Sequence, residues 1–449
     1  MHFSRRAFLK HALWGASAAS LFGCQRHFGT GPKTGGTSFA TSAQNAMPPP
    51  PQLLIDHAQK RAIQFLVEHQ SEDGAWKSDT YGVFKDGTAL TPLVLNAMVA
   101  ADWLTVEGAP AAVAKAANWL TAFVNKDGAI EPPAYGFDFS LYTATLTVLA
   151  LTLLHVARRP LFPDKVDTLY VAPRNAWLKY LRERQLTEDL GWKPEDREYG
   201  GWGYCRTIPR KAKGGELIPP LLESNLSATT FALEALKSAG VPVSDPAWHK
   251  ALTFVKRCQN WNDDEKQRDE KLDDGGFFFI YDDPVRNKAG VDGKDQAGRE
   301  RFYSYGSTTA DGLRCLVLCG EKDDSPRVQA ARKWLQNNFE ATTPPGTYDP
   351  KRELDREGTY YYYAASMARV PLDQFLVENK QKHLRMWIEA LGDALLERQR
   401  ADGSWINPAH AYREDEPLVA TPFAMLALAE VRKAHGVSLH EGDRPRVIK

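Results

Sequence analysis

Asp311 is the residue of this chain whose type and position most readily suggest chemistry. It lies three residues after Thr308 and four before Cys315, so the three share one stripe of a helix. A carboxyl on a buried stripe is raised in pKa and can act as a general acid or base. The same carboxyl can instead be bonded to a neighbouring helix end or an arginine. Asp138, Glu223, Glu357 and Asp415 stand just before other apolar segments, where a helix start attracts negative charge as readily as a ligand does. A second set is aromatic. Trp202, Tyr204, Phe277, Tyr305, Tyr361 and Trp405, with His410, sit in or beside glycine-bearing loops. Glycine lets a flat ligand or a sugar ring approach such side chains closely, so these are the candidate ligand contacts. Packing against helix ends is the other reading.

Metal and redox chemistry find little support. Cys205, Cys258, Cys315 and Cys319 form no Cys-x-x-Cys pair, and no histidine lies at ligand spacing from them. Cys315 and Cys319 are one helical turn apart, where side chains are neighbours but bridge poorly. Small buried side chains are the reading adopted. The acidic stretch 263–283 lacks the alternating order of a calcium loop. With residues 286–301 it forms the longest loop, expected as a solvated insertion over a rim, with the length of a lid. No metal and no cofactor are expected. Fifty-six basic and fifty-six acidic side chains cancel, so no nucleic-acid partner is expected either.

The elements that must position these residues repeat. A charged amphipathic helix ending in Gln is followed by a Gly-aromatic loop and then an almost uncharged helix. Residues 52–70 and 245–259 illustrate the first kind, with Leu54, Ala58, Ala62 and Phe65 on one stripe. Residues 88–104, 140–156, 224–239, 307–320, 359–369 and 417–433 are the second kind, and several open with Ser or Thr, expected as helix caps. A helix apolar all round is buried. Six outer–inner pairs over 52–436 close most economically into a ring, because an open solenoid would leave its last inner face bare. The expectation is an all-α, α6/α6 toroid around a central cavity, with the Gly-aromatic loops at one rim and a tail from 437 to 449. With 43% hydrophobic residues the chain can bury a substantial core.

The first copy reads Arg61-Ala62, Phe65-Leu66, Gln70, Gly74-Ala75-Trp76, and the last closes on Gln399, Gly403 and Trp405. This resembles the QW motif of squalene–hopene cyclases, and the chain looks like a member of the prenyltransferase and squalene-oxidase repeat family. The resemblance implies that each Gln and aromatic ties neighbouring helices together. It supports the fold strongly and chemistry hardly at all. The family's cyclization acid belongs to an Asp-x-Asp-Asp-Thr-Ala motif. The counterpart here is Tyr305-Gly306-Ser307-Thr308-Thr309-Ala310, which keeps Thr-Ala and none of the carboxylates. That alignment implies that the Asp311 stripe faces the cavity. The Asp-x-Cys zinc pair of protein prenyltransferases is missing, since Gly203, Lys256, Leu313 and Val317 precede the four cysteines. Leu318-Cys319-Gly320-Glu321-Lys322 imitates a thioester motif but carries Lys322 where the Gln would be.

The N-terminus carries a separate signal. Ser4-Arg5-Arg6-Ala7-Phe8-Leu9-Lys10 resembles a twin-arginine export motif, followed by an apolar run too short for an ordinary membrane span. Leu21-Phe22-Gly23-Cys24 resembles a lipobox, which implies lipidation at Cys24. Residues 1–24 are therefore expected as a signal and 25–51 as a Gly/Ser/Pro-rich tether. The implied partners are the twin-arginine machinery and, through the lipid, a membrane, with the body in the periplasm or cell envelope. Two functions fit this frame. One is a binding protein holding an apolar or glycan ligand in the toroid, without cyclase activity. The other is an enzyme acting on an isoprenoid or a polysaccharide through cavity carboxylates, which for glycoside cleavage requires two of them facing each other. The first is preferred, because both known catalytic signatures of the resembled family are missing.

Overall fold

The apolar spacing of the sequence resolves into two classes of helix that alternate along the chain. The computed structural model describes residues 51–158, 167–295, 298–371 and 380–439. The expected signal, Cys24, nearly all of the tether and most of the tail lie outside them. In chain order the helices begin with α1 (Pro51–Glu68), α2 (Leu90–Ala100), α3 (Ala109–Thr121), α4 (Ser140–Arg158), α5 (Ala172–Arg182) and α6 (Leu226–Ser238). They continue with α7 (Pro246–Arg257), α8 (Gly306–Leu318), α9 (Pro326–Asn338), the short α10 (Glu353–Glu357), α11 (Tyr360–Ala368), α12 (Lys380–Glu397) and α13 (Pro417–Leu439).

Helices α2, α4, α6, α8, α11 and α13 form a closed inner ring, each packed on the next and α13 back on α2. Helices α1, α3, α5, α7, α9 and α12 lie outside, against α13, α2, α4, α6 and α8, α8, and α13 and α11 respectively. This is the α6/α6 toroid. Helix α4 is long and apolar enough to cross a membrane by composition, yet more than half of that window is buried within the ring. Apolar character here serves burial, although Leu153 and Val156 toward the C-terminal end of α4 stay exposed.

Helix starts follow local chemistry, with one correction. Asp245 and Ser325 cap α7 and α9, each followed by Pro at the first helical position. The Ser and Thr residues expected to cap inner helices do not do so, and Asn225 caps α6 instead. The threonines sit one turn or so into the helices, where Thr91, Thr229, Thr309 and Thr421 accept the backbone N–H of Trp76, Trp202, Phe277 and Trp405. The long loop departs from expectation too. Part of it pairs as an antiparallel hairpin, β1 (Val291–Lys294) with β2 (Glu300–Phe302), and Asp274 within it is bonded to Ser304, Gly276 and Trp334 rather than solvated.

The Gln of each full repeat joins two outer helices. Gln70, Gln185, Gln259 and Gln399 donate to their own loop at Gly74, Gly200, Gly275 and Gly403, and to the next outer helix at Ala112, Ala247, Arg327 and Ala58. The last of these closes the ring, from α12 to α1. Trp76, Trp202 and Trp405 donate their indole N–H to Leu66, Leu181 and Leu395 at the end of the preceding outer helix.

Candidate functional site

Side chains of inner helices α4, α6, α8 and α11 and of the loop before α6 meet across the lumen. Tyr204 Oη, Tyr142 Oη, Ser227 Oγ, Tyr362 Oη and Asp311 Oδ2 are linked in series at 2.5, 2.9, 2.5 and 2.6 Å. A hydroxyl has one proton, so its direction can be deduced. With Asp311 ionised, Tyr362 donates to it, hence Ser227 donates to Tyr362, Tyr142 to Ser227, and Tyr204 to Tyr142. Asp311 Oδ1 also accepts from Ser366 at 2.8 Å and Arg314 at 2.9 Å. Two turns deeper Glu234 pairs with Arg314 and Arg369. The expected central cavity is therefore crossed by side chains at two levels, and partly exposed side chains remain at its mouth end.

Aromatic rings wall that mouth in sequence. Centroid separations are 5.7 Å for Phe84–Phe139, 6.2 Å for Phe139–Tyr142, 5.1 Å for Tyr142–Phe231, 6.4 Å for Phe231–Tyr362 and 5.5 Å for Tyr362–Phe423. Phe139, Tyr142, Tyr204, Tyr362 and Phe423 are partly exposed although they stand on or beside the inner ring. Burial pushes the Tyr142 phenol up to about 12 and those of Tyr204 and Tyr362 well above their ordinary value, so all three remain hydrogen-bond donors at neutral pH.

Three ionisable groups meet near Tyr362. Burial raises the Asp311 carboxyl to about 7, against the donors Tyr362 and Ser366 and the charges of Arg369 and Lys288. Glu414 is raised to about 7, also by burial. It accepts the backbone N–H of Tyr361 and Tyr362 at 2.9 and 2.7 Å and the amide of Asn407 at 3.0 Å. It thus caps the N-terminus of α11 from a distant loop, where Thr359 makes no cap. Lys288 is half-buried with its Nζ 4.0 Å from the Tyr412 ring centroid, and burial brings it down to about 8 despite Glu414, Asp355 and Asp311. Such groups can exchange protons near neutral pH.

The candidate contacts named from sequence separate. Trp202, Phe277 and Trp405 are fully buried and serve the framework. Tyr305 is buried against Tyr348, and Tyr361 is buried with its hydroxyl on the Ile406 carbonyl. Tyr204 reaches the mouth. His410 is exposed, 2.7 Å from Asp415, which also accepts from Tyr81. Asp311 is buried and bonded to Arg314, the alternative expected for it, while sharing the lumen chain. Asp138 pairs with Arg206, Glu223 with Arg286, and Glu357 accepts from Thr343. Sequence reading missed Tyr142, Lys288 and Glu414. The four consecutive tyrosines from 360 were a visible signal for Tyr362, but nothing local marks the other three.

A separate groove of 1040 Å³ lies outside the ring beside α9, lined among others by Trp261, Asp273, Asp274, Lys333, Trp334 and Asn337. Asp273 is paired with Arg301, Trp334 donates to Asp274, and Arg268 covers the Trp261 ring at 3.8 Å. Its polar groups are largely spent on one another.

No family model and no curated protein matches the chain. Among solved structures it is similar to the type II terpene cyclase MstE from Scytonema, at 12% identity over 86% of this chain and 99% of that one, with a TM-score of 0.47. It is also similar to a family 76 glycoside hydrolase from a bovine Bacteroides thetaiotaomicron strain (12% identity, 86% and 78%, TM-score 0.49). A third is the GH76A alpha-1,6-mannanase from Salegentibacter sp. HEL1_6 (11% identity, 86% and 99%, TM-score 0.47). At these values the likenesses assign no activity.

Proposed function

We propose that the protein binds an apolar ligand in the mouth of the toroid. The observation that carries this reading is the partly exposed aromatic wall from Phe139 through Tyr142 and Tyr362 to Phe423, set on the inner ring where full burial is the rule. Aromatic rings left open to solvent inside a concave surface favour the uptake of apolar carbon. The aromatics of the groove beside α9 are engaged by polar partners, Trp261 under Arg268 and Trp334 on Asp274. Export and lipid attachment at Cys24, inferred from the N-terminal sequence, would hold this binding body at a membrane surface.

A thermal-shift titration with farnesane as apolar probe and maltohexaose as glycan probe tests the reading. A ligand at one hundred times its dissociation constant adds about 2.7 kcal/mol to stability. A farnesane shift that vanishes in Phe423→Ala is expected. A maltohexaose shift that survives Phe423→Ala, with no response to farnesane, would replace the apolar reading with a glycan site elsewhere.

The carboxyls of Asp311 and Glu414, both near neutral in pKa, support a second reading as an acid–base enzyme on the bound ligand. Incubation with squalene and with a mannan oligosaccharide, followed by mass spectrometry, tests it. Product formed by the native chain and lost in Asp311→Asn supports it, and unchanged substrates count against it.

A further inference from the structure

Lys288 brings an ammonium over the Tyr412 ring, within electrostatic reach of Glu414, Asp355 and Asp311, and leaves it without a close ionic partner. Glu414 and Asp311 are in turn hydrogen-bonded to Tyr362 of the aromatic wall. Among the described residues it forms no ion pair, only the contact with the Tyr412 ring. A half-buried ammonium that gives up water without gaining an acceptor is costly. The acids nearest to it are occupied elsewhere. Glu414 takes two backbone N–H groups and Asn407. Asp355 accepts from Tyr412 Oη at 2.9 Å and faces Arg352. Asp311 is held by Arg314, Tyr362 and Ser366. A ring face attracts the charge but uses no N–H bond fully, so hydrogen-bond donors remain beside an aromatic wall.

We propose that Lys288 is the polar anchor of the mouth, donating to an uncharged oxygen, a hydroxyl or carbonyl, at the end of an apolar ligand. The carboxyls of Glu414, Asp355 and Asp311 around it turn away anionic head groups. This inference rests on the apolar-ligand reading and narrows it to a class, apolar chains ending in an alcohol or carbonyl. An anionic oxygen would gain one attraction and meet Asp355 together with the part-ionised carboxyls of Glu414 and Asp311. A neutral oxygen takes the hydrogen bond without that repulsion.

The test compares three probes with one carbon skeleton, farnesane, farnesol and farnesoic acid, by intrinsic-fluorescence titration of the full chain at neutral pH. Farnesol is expected to bind about tenfold more tightly than farnesane, the scale of one hydrogen bond to a charged donor. Farnesoic acid is expected to bind no more tightly than farnesane. Lys288→Met should bring farnesol to the farnesane level and leave farnesane unchanged, with the melting curve reporting that the variant folds. Lys288→Gln, which keeps a donor, should retain part of the alcohol preference. Equal binding of farnesol and farnesane by the native chain, or tightest binding of farnesoic acid, overturns the inference while leaving the apolar reading standing. Failure of all three probes to bind removes the apolar reading and the anchor with it.

Discussion

Ser227 Oγ lies 2.5 Å from Tyr362 Oη although α6 and α11 are not neighbours in the ring, with α8 between them. Their contact therefore spans the lumen, and it ends on Asp311 of the intervening α8. A chain of hydroxyls polarised toward a buried carboxyl strengthens each link. It also sets the floor of the mouth, above which the aromatic wall is open.

Asp311 makes stability depend on pH in a defined direction. Its carboxyl is at about 7 in the folded chain, above its ordinary value. The folded state thus binds the proton more tightly, and this contribution is complete in acid and lost as pH rises toward and through 7. Stability should fall across that window by at most about 1.4 kcal/mol per pH unit for each such group. Asp311→Asn should flatten its share of the slope, and Glu414→Gln the other share, in urea unfolding at pH 5 and 7.5. An unchanged slope in Asp311→Asn would mean the carboxyl is ionised throughout.

Arg314 is buried between Asp311 and Glu234. Replacing it by Met leaves two acids without that partner, a loss on the order of 3–5 kcal/mol. The double variant Asp311→Asn with Arg314→Met should recover part of it, and chemical denaturation of both variants measures the coupling.

The ring seam depends on Gln399, whose side chain donates to Ala58 and Gly403 at 2.8 and 2.9 Å. Gln399→Ala should cost about 1–3 kcal/mol and raise hydrogen exchange first in α1. Gln259→Ala should cost more. That residue is buried, donates to Gly275 and Arg327, and accepts from the Arg327 guanidinium.

Gly200 has φ +87° and faces the Lys250 carbonyl, so an added Cβ would meet backbone of α7. Gly200→Ala combines left-handed strain with that clash and should lower stability by about 1–3 kcal/mol or more. Gly215, also at positive φ but with open space around it, should tolerate alanine better. Melting temperatures of the two variants give the comparison.

The alternation of charged and apolar helices, their number and the recurring Gln, Gly and aromatic were legible in the sequence, because each is a local pattern with a helical period. The framework role of Trp202 and Trp405 was foreseen in the resemblance, yet the same residues were also candidate ligand contacts. Local sequence cannot separate these uses, since a tryptophan beside glycine looks alike whether it clamps two helices or faces a ligand. Helix caps were misread for a related reason. A threonine in the first turn can cap its own helix or accept from the preceding loop, and only the loop's path decides.

What the sequence determined by itself is the unit and its count. The apolar period specifies which face of each helix is buried, and the spacing of Gln and glycine specifies how one unit grips the next. What only the tertiary structure decided is the site. Tyr142, Ser227, Lys288, Asp311, Tyr362 and Glu414 come from widely separated parts of the chain. Their meeting depends on ring closure, in which Gln399 reaches back across 341 residues to Ala58. Helical periodicity says that a side chain points inward, but which side chain it meets across the lumen is set by how the whole ring closes.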